Sequence, residues 1–461
     1  MTADLRFSVR GKRVTVVGAA RSGVAAAELL VRRGASVTLT DVREHLDEEE
    51  RLRLAGVELE LGGHNPSTLL EAELIVTSPG VPYRHPLVEA ARFAGVPVIG
   101  ELELASRWLR GRVVAITGTK GKSTTTTLTG RMLEAGGHRV LVGGNIGHAL
   151  SAQVDESTED TIHVIEASSF QLETSDTFHP WIAVLLNFSP DHLDRHTTVD
   201  EYAAAKSRIF ARQTGEDWAV LNADDPITLT MAQPSRSRRL LFSLRGQIAD
   251  GIVLDGDTIV RREGDEREPL VPLSSIRLIG PHLVADVLAA AAVAWLAGVD
   301  SAAMTRAVEG FSGLEHALEP AGEVGGVRFV NDSKATNIEA ARRAIESFDR
   351  GVVVILGGRF KGGDFRELME PLASREATVV SIGESRPLIR AALGGRVALH
   401  EANDMSGAVR TAFASASPGQ TVVLAPACAS FDMFRDYAER GHAFKREVRR
   451  LQEEWNGMRE Q

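Results

Sequence analysis

Apolar and polar positions follow two rhythms along this 461-residue chain. Over the first hundred residues, short β-branched and aliphatic runs at 14–17, 36–40, 74–77 and 96–99 are separated by stretches of helical periodicity such as 24–33. Strands punctuated by helices in this way predict βαβ units and a parallel sheet. A second series opens at Arg112 with VVAITG, continues to Gly313 and includes a strand-rich stretch at 239–273 with Gly-Asp turn signals. A third follows Gly313, where VRFVN, VVVILGG, TVVSIG and TVVLAP read as parallel strands, since a strand covered on both faces is apolar at successive positions. Each series is long enough to carry its own core.

Composition narrows the partners. Acidic residues outnumber basic ones, 62 to 52, so there is no general basic field for nucleic acid or an anionic membrane, and an anionic ligand must be met by local donors. The most apolar long segment, 282–299, is alanine-rich and interrupted by Asp286, which suits a packed helix better than a membrane span. No integral membrane contact is expected. The first 18 residues mix charges with apolar positions and reach a strand at once, unlike a signal peptide. Cys428 is the single cysteine, which excludes an internal disulfide and fits a reducing compartment, so the expected location is cytoplasmic. Within AlaCysAlaSer it reads as a small packed residue.

The chemistry begins at GTKGKST, residues 118–124. A strand that feeds a glycine-rich turn and then a helix aims backbone N–H groups and the helix N-terminus at one point, where phosphate charge is best stabilised. Gly118, Thr119, Lys120, Gly121, Lys122, Ser123 and Thr124 form this candidate ATP loop, with Lys122 for the outer phosphates and the Ser123 hydroxyl for magnesium. The predicted fold class is therefore α/β in three domains. These are a Rossmann-like N-terminal domain at 1–105, a central P-loop mononucleotide-binding ATPase domain at 106–313 and a Rossmann-like C-terminal domain at 314–461.

Further charged groups end predicted strands. Glu166 follows the apolar run HVI, and NFSPDHLDRH, 187–196, gathers Asp191, His192, Asp194, Arg195 and His196 after another strand. A hard magnesium ion takes carboxylate oxygens first and tolerates one imidazole, although the same spacing also describes a solvated charged loop. Lys206, in the helical segment EYAAAKSRIF, reads from its surroundings as a surface residue. In the first series, VVGAARSG places Gly18 and Gly23 at a strand-to-helix turn, with Asp41 ending the next strand. This is a dinucleotide-type fingerprint lacking its middle glycine, at Ala20.

The shortened loop T-G-T-x-G-K-[ST] resembles the Mur ligases and the folylpolyglutamate synthetases, which join an amino acid to a carboxylate at the expense of ATP. The order G-x-x-x-SG, TD, TSPGVP and GELEL is similar to the Mur ligase branch that adds D-glutamate to UDP-N-acetylmuramoyl-L-alanine, and the likeness covers nearly the whole chain. It implies an ATP-dependent ligase of cytoplasmic peptidoglycan precursor synthesis, using two magnesium ions and acting as a monomer. It implies that Gly18, Arg21, Ser22, Gly23, Asp41, Val42, Arg43, Ser78, Pro79, Gly80 and Asn145 meet the UDP-sugar. Lys122, Glu166, His192 and Lys206 are then the catalytic set, and Ser123, Glu166, His192 and Lys206 the metal ligands. Lys206 can serve a metal if carbamylated, which turns a cation into an anionic oxygen donor.

Asp286 and Asp332 join the ATP site by the same resemblance, and Lys334, Thr336, Lys361, Ser430 and Tyr437 the D-glutamate site. Tyr437 stands where the family often has phenylalanine. Two departures are larger. The family's G-x-H-N-x-x-N reads Gly280-Pro-His-Leu-Val-Ala-Asp286 here, with Leu283 and Asp286 at the asparagine places, and the arginine of L-x-H-R is Ala317. Two other classes stay open at this stage: a different ATP-dependent amide ligase, and a nucleotide-regulated binding protein that hydrolyses ATP slowly.

Overall fold

The computed structural model describes residues 7–192, 195–277, 281–311, 313–348 and 350–459. Two compact units divide the chain, Met1–Ile276 with His282–Gly310, and Arg277–Pro281 with Phe311–Gln461.

The first unit contains two sheets. Strands β1 (Arg13–Val17), β2 (Ser36–Asp41), β3 (Val57–Leu61), β4 (Leu74–Thr77) and β5 (Val98–Gly100) form a parallel sheet in the order β3-β2-β1-β4-β5. The second sheet runs from β6 (Arg112–Thr117) through β7 (Arg139–Gly144), β8 (Thr161–Glu166), β9 (Ile182–Leu185), β10 (Trp218–Asn222), β11 (Arg238–Ser243), β12 (Asp250–Asp255) and β13 (Thr258–Glu263) to β14 (Glu266–Pro272). Its order is β14-β13-β12-β11-β10-β9-β6-β8-β7, parallel except for the β12-β13-β14 meander. In each sheet the first strand is interior, and later strands are added on both of its sides. This reversal opens a crevice at the carboxyl ends of β1 and β6, where such folds place ligands.

The central strands form because their side chains are covered on both faces. Val113, Ala115, Ile165, Ala183, Leu185 and Leu221 are all nearly or completely buried in one core, and each fully buried aliphatic side chain of Val or Leu size contributes about 1.5–3 kcal/mol. The alanine-rich helix Pro281–Leu296 is packed as its composition predicts, with Val287–Ala294 fully enclosed. The two sheets are joined through the buried Glu103, whose carboxylate accepts the amides of Asp176, Thr177 and Phe178 at 2.8–3.1 Å.

The second unit is a six-stranded sheet of β15 (Glu319–Val324), β16 (Val327–Asn331), β17 (Val352–Gly357), β18 (Thr378–Ile382), β19 (Ala398–Glu401) and β20 (Thr421–Leu424). The order is β15-β16-β20-β17-β18-β19, with only β15 antiparallel to its neighbour. Helices Ile338–Glu346 and Tyr437–Arg459 follow β16 and β20.

Candidate active site

Residues 118–124 close β6 onto helix Lys122–Ala135. Gly118 (φ 155°) and Gly121 (φ 82°) hold conformations that side-chain-bearing residues rarely adopt. At Gly121 the space is closed as well, because a Cβ there would stand 2.2 Å from Oδ1 of Asp286. Asp286, buried on helix Pro281–Leu296, is thereby packed on this glycine-rich loop. Asn187, two residues past β9, clamps the loop from the other side. Its Oδ1 accepts from the amides of Thr119 (3.2 Å) and Lys120 (2.9 Å), and its Nδ2 donates to the Lys120 carbonyl at 3.0 Å. The Lys122 ammonium donates to the carbonyls of Gly118 (3.0 Å) and Thr119 (2.9 Å).

Lys206 reaches the same loop. Thr198 caps the helix Val199–Ser207 by accepting from the Glu201 amide, and the helix points Lys206 inward, where only 1% of the residue is exposed. Its Nζ donates to the Gly118 carbonyl at 2.7 Å and lies 4.7 Å from the centre of the Tyr202 ring. Burial, followed by repulsion from Lys122, holds its pKa well below the ordinary lysine value, against the pull of Asp191 and Glu166. The surface position that its helix suggested is thus corrected. A mostly small-residue helix says nothing about a lysine whose burial is decided by a strand turn 88 positions away.

Glu166 ends β8, 2% exposed. Its Oε1 accepts from Nδ2 of Asn145 at 2.7 Å, while its Oε2 is enclosed without a hydrogen-bond partner. Asn145 therefore lies against the candidate metal carboxylate. An enclosed, unpartnered carboxylate oxygen is costly unless a cation or water meets it, so this position fits a hard divalent ion. Asp191 pairs with Lys120 at 3.5 Å. Burial raises its pKa, but Lys120 and His192 outweigh this and leave it below the ordinary value. His192 adopts φ 55°, and its half-exposed ring packs edge-on against Phe170 at 5.0 Å. His196 is buried, with its Nε2 3.0 Å from Ser169 Oγ, which makes it a packing residue. Asp194, Gly280 and the His282 side chain lie outside the described residues.

At the first sheet, Gly18 (φ 92°) and Gly23 let the β1 turn close on itself and on Ser78. A Cβ at Gly23 would fall 1.8 Å from the Gly18 carbonyl, and one at Gly18 would fall 3.1 Å from Ser78 Cβ. Arg21 and Ser22 begin the helix Arg21–Arg32. Asp41 Oδ2 accepts from the Ala19 amide at 2.6 Å, and its Oδ1 meets Arg43 at 3.0 Å. Burial raises the Asp41 pKa, yet Arg43 and the Ala19 amide together pull it down to about 2. Val42 between them is exposed. Ser78, Pro79 and Gly80 follow β4 beside this turn.

In the second unit, β16, β20 and β17 are adjacent and each delivers a loop from its carboxyl end. Asp332, Lys334 and Thr336 follow β16, the exposed Lys361 follows β17, and the buried Ser430 follows β20. Two of these loops are held together by the Ala427 amide donating to the Ala335 carbonyl at 2.9 Å. Tyr437, partly exposed, begins the last helix and meets the His316 ring edge-on at 6.1 Å. Burial raises the Asp332 pKa to about 7, with the Leu318 amide and Lys334 opposing it. Cys428 is fully enclosed, and burial raises its thiol pKa, as a packed cysteine requires.

Three family models match this chain: the Mur ligase MurD-like N-terminal domain over residues 12–100, the Mur ligase middle domain over 116–294 and the Mur ligase glutamate ligase domain over 318–428. A protein of Acidobacterium capsulatum named UDP-N-acetylmuramoylalanine--D-glutamate ligase is 48% identical, with 95% of this chain and 96% of the relative covered. One of the same name from Koribacter versatilis is 44% identical over 97% and 99%. The chain belongs to the Mur ligase family. Among solved structures, a UDP-N-acetylmuramate-alanine ligase and a MurF ligase in complex with ADP, both from Thermotoga maritima, each reach a TM-score of 0.59 at 18% identity. Both cover 96% of this chain, and the match spans 100% and 96% of those chains respectively. At that identity they speak for the Mur ligase fold.

As a Mur ligase the chain is an enzyme of the ligase class. Among the described residues, no helix is long and apolar enough to cross a membrane. Two polar residues of this Mur ligase escaped assignment from sequence. Asn187 stood in the quoted acidic run, and its position just beyond an apolar strand was the available signal. Arg440 is 1% exposed; it donates to the carbonyls of Ser333 (2.8 Å) and Cys428 (3.0 Å) and to Ser333 Oγ (2.9 Å). Nothing local in AERG marks a buried arginine.

Proposed function

We propose that this Mur ligase joins D-glutamate to the carboxylate of UDP-N-acetylmuramoyl-L-alanine at the expense of ATP, in cytoplasmic peptidoglycan precursor synthesis and as a monomer. The observation that carries the substrates is the full-length likeness to relatives of that name. The loop geometry supports the nucleotide.

On this reading residues 1–105, 106–313 and 314–461 take the UDP-sugar, ATP and D-glutamate respectively. Residues 118–124 wrap the triphosphate with backbone N–H groups. Lys122 leaves its two loop carbonyls for the outer phosphate, and Asp286 and Asp332 serve the nucleotide. Ser123, Glu166, His192 and Lys206 would hold magnesium, which when bound would supply positive charge to the phosphate oxygens. The substrate carboxylate attacks the γ-phosphorus and ADP leaves, giving an acyl phosphate. The amine of D-glutamate then adds to the acyl carbon, phosphate is expelled, and the amine proton passes to solvent or a nearby base.

Gly18, Arg21, Ser22, Gly23, Asp41, Val42, Arg43, Ser78, Pro79, Gly80 and Asn145 receive the UDP-sugar. Lys334, Thr336, Lys361, Ser430 and Tyr437 receive D-glutamate. The burial that depresses the Lys206 pKa favours the neutral amine form, the form whose nitrogen adds to carbon dioxide and, on losing a proton, becomes a carbamate. The test is phosphate release in the presence of ATP and magnesium. Release that requires both UDP-N-acetylmuramoyl-L-alanine and D-glutamate, fails with L-glutamate and falls with GTP supports the reading. Release with neither acceptor, or with another amino acid in place of D-glutamate, overturns it.

A further inference from the structure

Arg195 has no role in the chemistry just described, yet its side chain is 15% exposed and connects the two ligand loops of the first unit. Its Nη1 donates to the Gly80 carbonyl at 3.1 Å, and its Nη2 donates to the Pro79 carbonyl at 3.3 Å and to that of Val81. The guanidinium lies 4.7 Å over the Phe170 ring and 3.4 Å from Glu173 Oε1. Phe170 also packs against His192 at 5.0 Å and stacks on His196 at 5.5 Å. One cation therefore gathers three consecutive carbonyls of the turn after β4 and is itself fixed by the residues that seat His192.

This contact dictates where the turn can donate. Among the described residues there is no cis peptide bond, so the peptide joining Pro79 to Gly80 is trans and planar, with its N–H opposite its C=O. With the Pro79 oxygen on Arg195, the Gly80 N–H points the other way. A Cβ at Gly80 would meet nothing within 4 Å, so open space adjoins this residue. Pro79 and Pro82 have no N–H, and the Val81 amide is taken by the Ser78 carbonyl at 3.0 Å. The Gly80 amide is the donor this turn has left to offer.

We propose that Arg195 is a positioning residue. It fixes the direction of the Gly80 N–H toward the anionic UDP-sugar and sets that loop against the segment carrying His192. The inference rests on the function proposed above. A bidentate charged donor to stacked carbonyls is not replaced by an ammonium, which lacks the planar fork and the aromatic stacking, so lysine restores part of the effect.

The experiment uses the full-length enzyme with Arg195→Ala, Arg195→Lys and Arg84→Ala. Arg84 also bridges the two sheets, through an exposed pair with Glu201 at 2.9 Å, but without touching the turn's carbonyls. Calorimetric Kd values are measured for UDP-N-acetylmuramoyl-L-alanine and for ADP, with KM, kcat and melting temperature. Arg195→Ala is expected to weaken UDP-sugar binding by at least about tenfold while the ADP Kd stays within about twofold, Arg195→Lys to fall between, and Arg84→Ala to match wild type. If Arg195→Ala does not fold, Arg195→Lys against Arg84→Ala carries the test. A UDP-sugar Kd within twofold of wild type in the Arg195 variants, an equal loss of ADP affinity, or the same loss in Arg84→Ala overturns the inference. Wild-type enzyme that does not bind the UDP-sugar overturns the functional reading instead.

Discussion

The Nζ of Lys206 donates to the carbonyl of Gly118 across 2.7 Å, against the glycine-rich loop 118–124 and away from water. Burial and then repulsion from Lys122, only partly offset by Asp191 and Glu166, disfavour the charged form, so the folded state binds this proton less tightly than the unfolded chain does. The sign follows. Between the lowered folded pKa and the ordinary lysine value the unfolded state holds more protons, and stability rises with pH through that window. At neutral pH the lysine costs stability. Lys206→Met is expected to raise the melting temperature by roughly 2–6 °C at pH 7 and to lower kcat at least about 100-fold. Scanning fluorimetry and phosphate release check the two halves. A lower melting temperature would show that the hydrogen bond to Gly118 outweighs desolvation.

Asp332 tests the opposite sign. Burial lifts its pKa to about 7, above the ordinary aspartate value. Below the ordinary value both states are protonated; between there and pH 7 the folded state keeps the proton that the unfolded chain loses, so stability falls as pH rises. Asp332→Asn cannot titrate. Its melting temperature is expected to approach wild type near pH 4 and to exceed it by roughly 2–6 °C at pH 8, with ATP affinity lowered at both. A gap that narrows toward alkaline pH would refute this.

How far the fold could be read in advance followed burial. Strands covered on both faces, such as β6, β9 and β17, announced themselves as apolar runs. The edge strands β3, β15 and β19 did not, because VELEL, EPAGEV and ALHE carry charges toward solvent and owe their conformation to a neighbouring strand. The glycine-rich turn between β6 and the helix Lys122–Ala135 was legible because its signal is local. Lys206, Asn187, Arg195 and Arg440 bind backbone carbonyls or amides as far as 88, 68, 116 and 107 positions away, relationships that only the folded chain creates.

Gly121 is expected to tolerate no side chain. Gly121→Ala forces φ 82° on a residue with a Cβ and drives that atom to 2.2 Å from Asp286 Oδ1. The ATP KM should rise at least about tenfold, with a stability loss of about 1–3 kcal/mol. Adding Asp286→Ala removes the clash and leaves the backbone strain, so the double variant should recover part of the stability, measured by urea unfolding. Full recovery would place the whole cost in the contact.

Arg440 organises the second unit's loops by satisfying two buried carbonyls and one hydroxyl. Burial lowers its pKa to about 10, so it remains charged at neutral pH. Arg440→Lys keeps the charge but cannot serve all three acceptors, and each one left unpaired costs about 1–3 kcal/mol. The expected outcome is a lower melting temperature and a D-glutamate KM raised at least about fivefold, with UDP-sugar affinity unchanged. Unchanged D-glutamate KM in steady-state assays would confine Arg440 to stability.

Ala317 offers the reverse experiment, a gain. It stands between Glu315 and Glu319, and both carboxylates are engaged by Lys445, at 2.7 and 2.8 Å. The lysine that touches this segment is thus committed to two acids, and its charge is offset where it sits. Ala317 itself is partly exposed, so a longer side chain can extend without displacing core. Ala317→Arg should supply an uncommitted cation to the nucleotide and lower the ATP KM by roughly threefold to tenfold, equivalent to about 0.6–1.4 kcal/mol from one charge-assisted phosphate contact weakened by solvent and the neighbouring acids. The acids limit the gain, since Glu315 and Glu319 can capture the new guanidinium as they capture Lys445. Combining Ala317→Arg with Glu315→Gln should then lower the KM further than either change alone. If the double variant binds ATP no better than wild type, position 317 does not face the nucleotide in this enzyme.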